Sequence, residues 1–241
     1  MSLFPSVNLL DSRYYSGRKS RWHLFQETVI DYLQSDHYVL DAGCGQYVSI
    51  AKGRCREITG IDTDNDILKN PDIDIPVIGN LENLTLPENK FDDIICLDVI
   101  EHLKDPMSCF KGFSRVLKDG GHCFIATPNV LHYAVLTTKL TPNWLHNWYA
   151  KRILRDKTDP FPTYFRANRP NKLIAMMHKA GFDVVMLKMV EEQPSYLRFS
   201  SITYLAGIGY ERFVNRFSFL SVFRSNIIVV FRKSNNTNKN I

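Results

Sequence analysis

The sequence predicts an α/β protein built on a mostly parallel sheet with helices on both faces, and three observations predict it. Short apolar runs alternate with helix-like or turn-like crossovers from Tyr38 onward. The first run leads into "VLDAGCG", which sets Gly43 and Gly45 directly after a strand closed by Asp41. The second ends in "GIDTD", where Asp62 lies 21 positions beyond Asp41. At 241 residues and 44% hydrophobic the chain can bury a full core, and one domain with a compact elaboration is expected.

The elements follow in order. "SGRKSRWHLFQETVIDYLQ" places Trp22, Phe25, Val29, Ile30 and Leu33 at helical spacing, with Ser16 or Gly17 as the cap. Strand-like runs then come at Tyr38–Leu40, Glu57–Ile61, Pro76–Ile78, Asp92–Leu97 and His122–Ala126. The helix "DPMSCFKGFSRVLKDGG" starts after Asp105-Pro106 and is expected to stop at Gly120-Gly121. Beyond Pro128 the rhythm breaks for about 40 residues before "NRPNKLIAMMHKAGFDVVMLKMV" supplies a helix stopped by Gly181 and a strand. A second aromatic-rich excursion, "PSYLRFSSITYLAGIGYERFVNRFSFLSVF", precedes a last strand, "NIIVVFRK". The boundaries read as an amino-terminal helical segment 1–36, a core 37–129, an insertion 130–170, completion of the sheet with a helical insertion 171–233, and a polar tail 234–241 expected to be disordered. No internal repeat interrupts this order.

Composition narrows the function classes. No stretch reaches the roughly 18 uncharged apolar residues of a membrane span, and the start lacks the basic, then apolar, then small-residue order of a leader. A cytoplasmic protein is expected. The five cysteines, Cys44, Cys55, Cys96, Cys109 and Cys123, form no C-x-x-C pair and have no histidine at ligand spacing, so neither disulfide nor metal is indicated. Residues 1–127 hold 13 Lys and Arg against 19 Asp and Glu, whereas residues 128–241 hold 17 against 6. Such asymmetry suits an anionic substrate, an acidic membrane surface or nucleic acid near the second half, and equally an ordinary solvated surface.

In an open parallel sheet, ligands bind beyond the carboxyl ends of strands where the strand order reverses, usually after the first strand. Gly43 and Gly45 stand there. Without Cβ atoms they let backbone N–H groups approach a ligand, and a helix following them is expected to turn its positive end toward a negative group. A dinucleotide site would carry a third glycine where Val48 stands, and no G-x-x-x-x-G-K-[ST] is present. Asp62 can accept hydrogen bonds from both hydroxyls of a ribose, so a nucleoside fits and a pyrophosphate does not.

The ordered set "VLDAGCG", "GIDTD", "IGNLENLTLPENKFDDIICLDVIEHLKDP" and "RVLKDGGHCFIATPN" resembles the class I S-adenosylmethionine-dependent methyltransferases, in particular the small-molecule group that includes ubiquinone and menaquinone biosynthesis enzymes. The likeness covers residues 37–129 closely and "KLIAMMHKAGFDVV" more loosely. It implies a Rossmann-like methyltransferase fold, a seven-stranded sheet with an antiparallel last strand, and helical insertions after the fifth strand and between the last two. It also implies S-adenosylmethionine as cofactor. Asp41, Gly43 and Gly45, with Ala42 and Cys44 between them, would lie beneath the methionine end. Asp62 with Thr63 would hold the ribose, Asn80 and Leu81 the adenine, and Leu97 the ammonium by its carbonyl, with Asp98 nearby. Many relatives carry Asp where Asn80 stands; Glu, Ser or Asn where Asp98 stands; and glycine where Tyr47 stands. Arg13, Tyr14, Tyr15 and Arg18 are read either as a lid over the cofactor carboxylate or as a solvated segment.

Methyl transfer is an in-line displacement, and a hydroxyl or amine acceptor must also lose a proton. His102, in "DVIEHL", is the candidate base, since an imidazole titrates near neutral pH; support of the local helix is its plainer role, and Glu101 reads as structural. His132, Tyr133, His146, Tyr164 and Arg166 are the candidate substrate-side residues. The expected reaction is methylation, O-methylation favoured, of a small-molecule, lipid-linked or glycan acceptor, with peripheral membrane contact an open prospect. The alternative is a non-catalytic cofactor-binding or partner-binding protein on the same fold. Nucleic-acid methylation is disfavoured, because "CLDVIEH" stands where an Asn or Asp-Pro-Pro-aromatic run would be needed and no RNA-binding module is recognisable.

Overall fold

The computed structural model describes residues 5–140 and 162–235. They fall into two compact units. Of these residues the larger comprises 24–128, 163–188 and 227–235, and the smaller comprises 5–23, 129–140, 162 and 189–226. The described helices are α1 (Val7–Tyr15), α2 (Arg21–Ile30), α3 (Pro106–Val116), α4 (Tyr133–Leu140), α5 (Pro170–Lys179) and α6 (Ser201–Arg216).

One sheet organises the larger unit. Its strands β1 (Tyr38–Ala42), β2 (Glu57–Asp62), β3 (Ile75–Ile78), β4 (Phe91–Leu97), β5 (Leu117–Pro128), β6 (Phe182–Val190) and β7 (Asn226–Lys233) lie in the order β3-β2-β1-β4-β5-β7-β6. Pairing is parallel from β3 to β5, and the last strands run antiparallel. Val39 and Leu40 of β1, Ile94 and Cys96 of β4 and Phe124 and Ile125 of β5 have almost no solvent exposure, which is why these strands read as continuous apolar runs rather than alternating ones. The chain winds from β1 toward β2 and β3 on one side, while β4 lies on the other. The order therefore reverses between β1 and β4, and the crevice for a ligand lies beyond their carboxyl ends.

Three sequence expectations are corrected by the local structure. No α-helix follows Gly43 and Gly45: residues 43–56 form turns, closed by Lys52 N–H to Ser49 (3.2 Å) and Arg54 N–H to Ala51 (2.9 Å). The β2–β3 and β3–β4 crossovers likewise carry only the short 3-10 turns Asn65–Lys69 and Leu81–Asn83, so the helical cover is thinner there than the fold class suggests. Gly53, at a φ of 71°, breaks the one stretch after β1 where a helix would need to continue.

The second correction concerns Ser16 and Gly17, which end α1 instead of starting α2. Val7–Tyr15 forms its own helix, with the Ser6 hydroxyl accepting from Leu9 N–H, and the chain breaks at Gly17 (φ 76°) before Ser20 accepts from His23 N–H. In the third, α3 stops at Val116, and Leu117 to Gly121 already belong to β5. Leu117 pairs with Phe91 and His122 with Asp93, so the intervening residues bulge. A Cβ on Gly121 would lie 2.6 Å from the Asp92 carbonyl oxygen; the glycine pair allows the bulge to press on β4. The start of α3 is as the sequence predicts, with Asp105 accepting from Met107 and Ser108 N–H and Pro106 in the first turn.

The smaller unit packs α1 against α6 through Leu10, Tyr204 and Ile208. Glu211 of α6, buried in this unit, takes Arg18 Nη1 at 2.8 Å and Asn215 Nδ2 at 2.6 Å. Tyr15 donates to the same carboxylate at 3.4 Å, and the Arg212 guanidinium lies 5.1 Å from the Tyr14 ring centre. Three of the four residues read as a lid or solvated segment thus engage α6, while Arg13 lies over the Tyr14 ring.

Candidate functional site

The loop beyond β1 is held by side chains from the segment after β2. Asn70, itself buried, donates through Nδ2 to the carbonyls of Gly45 and Tyr47, both at 3.0 Å, and accepts from Asp72 N–H at 3.0 Å. Asp72 in turn accepts from Ser49 N–H (3.2 Å), and the Ser49 hydroxyl donates to Asp41 Oδ2 at 2.6 Å. Burial pushes the Asp41 carboxyl up to about 6, against the opposing pull of the Ser49 hydrogen bond.

Gly43 and Gly45 serve different needs. Gly43 donates to Ile61 at 2.7 Å, and a Cβ there would fall 2.3 Å from Val99 Cγ2, so this glycine admits the loop beyond β4. Gly45, at a φ of 47°, donates to Asp62 Oδ2 at 2.9 Å and has no close obstruction above it. Cys44 between them is buried with its sulfur against Gly60, and burial raises its thiol pKa far above the ordinary range. The loop thus keeps an open backbone beside a carboxylate.

Asp62 closes β2 with both oxygens engaged once: Oδ2 accepts from Gly45 and Oδ1 from Asp64 N–H at 2.9 Å, just beyond Thr63. A carboxylate has about four acceptor positions, so two remain for other donors. Beyond β3, exposed Asn80 caps the Leu81–Asn83 turn by accepting from Glu82 N–H at 2.8 Å, and the Leu81 side chain is buried. One lone pair of the Asn80 carbonyl and its amide donors stay unspent in that contact.

Beyond β4, Leu97 is followed by Asp98 at a φ of 54°, an unusual conformation for a residue with a side chain, fixed by its N–H donating to Ala126 at 2.9 Å. Val99 then covers Gly43, and Ile100–His102 make one 3-10 turn, with His102 N–H returning to Val99 at 2.9 Å. Val99 carried no signal in the sequence, since an apolar residue after a strand is unremarkable. Glu101 is buried and accepts from Thr127 Oγ1 at 2.9 Å, and Thr127 accepts from Asn168 Nδ2 at 2.6 Å. The Glu101 carbonyl receives Tyr164 and Phe165 N–H at 2.7 and 3.1 Å. Tyr164 and Arg166 are thereby brought to the loop carrying His102; Arg166 donates to the Lys104 carbonyl and its guanidinium lies 5.7 Å from the Tyr164 ring centre.

His132 and Tyr133 belong to the smaller unit. The buried His132 imidazole stands 3.3 Å from Glu191 Oε1, without hydrogen-bond alignment, and its ring lies 4.1 Å from that of Tyr133 and 5.8 Å from that of Tyr210. His146 lies outside the described residues.

The larger unit therefore brings Asp41, Gly43, Gly45, Asp62, Leu97 and Asp98 to the β1–β2–β4 end of the sheet, with His102 on the loop past β4 and Tyr164 and Arg166 hydrogen-bonded to that loop from the segment before α5. No cluster of three metal-ligating side chains occurs among the described residues. Residues 40–125 match the model of a family described as "Methyltransferase domain". The ubiquinone biosynthesis O-methyltransferase of Coxiella burnetii (strain RSA 331 / Henzerling II) is 25% identical over 217 residues, covering 81% of this chain and 89% of the relative. The protein of that name from Alkalilimnicola ehrlichii is 29% identical over 130 residues, 46% of this chain and 52% of the relative. Among solved structures, an S-adenosylmethionine-dependent methyltransferase from Mesorhizobium loti superposes with a TM-score of 0.59 at 14% identity, covering 88% of this chain and 97% of that one. The [4+2]-cyclase SpnF shares the fold with a TM-score of 0.58 at 16% identity over 92% of this chain and 86% of its own. With the sheet order and the motif residues gathered at the β1–β4 crevice, the methyltransferase domain over residues 40–125 and these likenesses support a class I S-adenosylmethionine-dependent methyltransferase.

Proposed function

We propose that the protein methylates a hydroxyl oxygen of a small-molecule or lipid-linked acceptor at the crevice beyond β1 and β4. The observation that carries the reading is Val99 seated over Gly43, which ties the His102 turn to the glycine loop. Bound S-adenosylmethionine supplies a methyl group on a sulfonium, a strong electrophile. The chain's residues fit it: Asp62 keeps two acceptor positions for ribose hydroxyls, Gly45 leaves open backbone beside them, and Asn80 with the Leu81 backbone faces the adenine role. Ala42 and Cys44 flank Gly43 beneath the methionine end, Thr63 adjoins the ribose, and the Leu97 carbonyl with Asp98 receives the ammonium.

His102 takes the acceptor's hydroxyl proton as the oxygen–carbon bond forms, and Tyr164 and Arg166 position the acceptor beside it. Residues 37–129 form the cofactor core in this reading. A cytoplasmic setting is part of this proposal.

The test is transfer of labelled methyl to a panel of phenols, catechols, alcohols and amines. His102→Ala should lower turnover at least about 100-fold while leaving cofactor affinity within about twofold. Label on nitrogen or carbon alone would overturn the O-methylation reading. Loss of cofactor binding with turnover preserved at saturation would make His102 structural.

A further inference from the structure

Helix α6 is apolar on two opposite sides. Tyr204, Ile208 and Val214 are buried, and at helical spacing Ile202, Ala206, Gly209 and Phe213 form the opposite stripe, which Phe217 extends at the cap. Ile202 is 60% exposed, Phe213 56%, and Phe219 in the following turn Ser218–Phe223 is 73% exposed. The rings of Phe213 and Phe217 lie 5.4 Å apart and those of Phe217 and Phe219 5.7 Å, so the patch is contiguous. A surface helix ordinarily turns charged residues outward, and a contiguous apolar patch on a soluble unit marks a docking site.

The surrounding charge says what docks. From Gln193 to Asn226 the sequence holds four arginines and one acidic residue, Glu211, and Glu211 is buried against Arg18. Arg198 is spent on Asp11 at 3.0 Å, and Arg224 on the carbonyls of Val214 and Met189. Arg212 and Arg216 stand exposed one turn apart beside the phenylalanine stripe, Arg212 with its guanidinium 5.1 Å from the Tyr14 ring centre and Arg216 with its own 5.9 Å from the Phe217 ring centre. A second copy would set these arginines against each other. The rings pack on one another instead of offering parallel faces to nucleic-acid bases.

We infer that the outer face of α6 and the turn after it dock on an anionic lipid bilayer. Phe213, Phe217 and Phe219 enter the boundary between headgroups and acyl chains, and Arg212 and Arg216 meet the headgroups. The inference rests on this surface and holds whichever acceptor is methylated.

Flotation of the full chain with phosphatidylcholine vesicles, with and without phosphatidylglycerol, tests it. The protein should float with the anionic vesicles and be released as salt rises. Phe219→Ser, an exposed change that spares the fold, should weaken binding at least about tenfold. Arg212→Ser and Arg216→Ser should each cost about fivefold, the factor expected per basic residue at an anionic surface. No flotation with anionic vesicles at low salt overturns the inference, as does undiminished flotation of Phe219→Ser. A concentration-dependent dimer abolished by Phe219→Ser without vesicle binding would give the face to a second copy, and an oligonucleotide complex with that behaviour would give it to nucleic acid. Calorimetry of Phe219→Ser with S-adenosylhomocysteine should match the unaltered chain, so loss of vesicle binding there is separable from failure of the methyltransferase reading.

Discussion

Asp41 illustrates how burial decides the chemistry of a single side chain. Its place at the end of β1 was legible from the sequence, because an apolar run closed by an acid and two glycines is a local pattern. Its proton affinity was not, since that depends on the Ser49 hydroxyl eight residues on and on the core around it. Gly43 is similar: its bareness was legible, but the Val99 methyl that requires it comes from another strand's loop. The Asp41 shift has a pH consequence with a definite sign. Its carboxyl is raised to about 6 when folded, so between the ordinary carboxylate range and pH 6 the folded state holds a proton that the unfolded chain has released. Stability from this group therefore falls as pH rises through that window, and the cost is absent below it. The full difference corresponds to about 3 kcal/mol. Asp41→Asn removes the titration while keeping an acceptor for Ser49, so denaturant unfolding should show the variant gaining on the original chain by about 1–3 kcal/mol between pH 4 and pH 7. A gap that stays constant across that range would mean that Asp41 is not held as a costly buried carboxylate.

The strands and the α3 start were the legible elements, and the crossovers were the illegible ones. Runs such as "FDDIICL" and a cap such as Asp105-Pro106 are written locally, within a few residues. Whether residues 43–56 coil into a helix depends on partners elsewhere, and here Asn70 supplies them by bonding Gly45 and Tyr47. Likewise the Gly120-Gly121 pair reads as a helix stop until the Asp92 carbonyl, 2.6 Å from where a Cβ would stand on Gly121, shows a bulge. In the proposed reading Asn70 is a positioning residue for the loop beyond β1. In Asn70→Asp the shape is kept, but a carboxylate oxygen faces two carbonyls in place of a double donor. The expected result is a cofactor KM raised about tenfold or more, with kcat at saturating cofactor within about threefold, because the groups around the acceptor are untouched. A fall in kcat with KM unchanged would remove Asn70 from the cofactor side. Asn70→Ser, a short donor without the charge, should recover part of the affinity that Asn70→Asp loses.

At the scale of the whole chain, the acidic strand ends assigned to the cofactor lie before Pro128, and the basic aromatic surface of α6 and the turn after it lies beyond it. Cofactor binding must then appear as stabilisation of the folded chain, by linkage, whatever the acceptor. At about 100 times its dissociation constant a ligand specific to the folded state adds about 2.7 kcal/mol, which for a chain of this size raises the melting temperature by about 5–10 °C. Both S-adenosylmethionine and S-adenosylhomocysteine should produce that rise, since the carboxylate, ribose and adenine contacts are common to them. The ribose assignment can be isolated within the same measurement. Asp62→Asn keeps one acceptor oxygen for the Gly45 or Asp64 N–H but loses the charge that favours two hydroxyl donors. It should need at least about tenfold more ligand for the same rise. A 2′-deoxy analogue of S-adenosylhomocysteine should lose affinity toward the original chain and lose much less toward Asp62→Asn, because the missing hydroxyl and the missing charge belong to one interaction. Equal losses for both proteins would place the 2′-hydroxyl elsewhere, and no melting rise with either cofactor would take S-adenosylmethionine out of this crevice altogether.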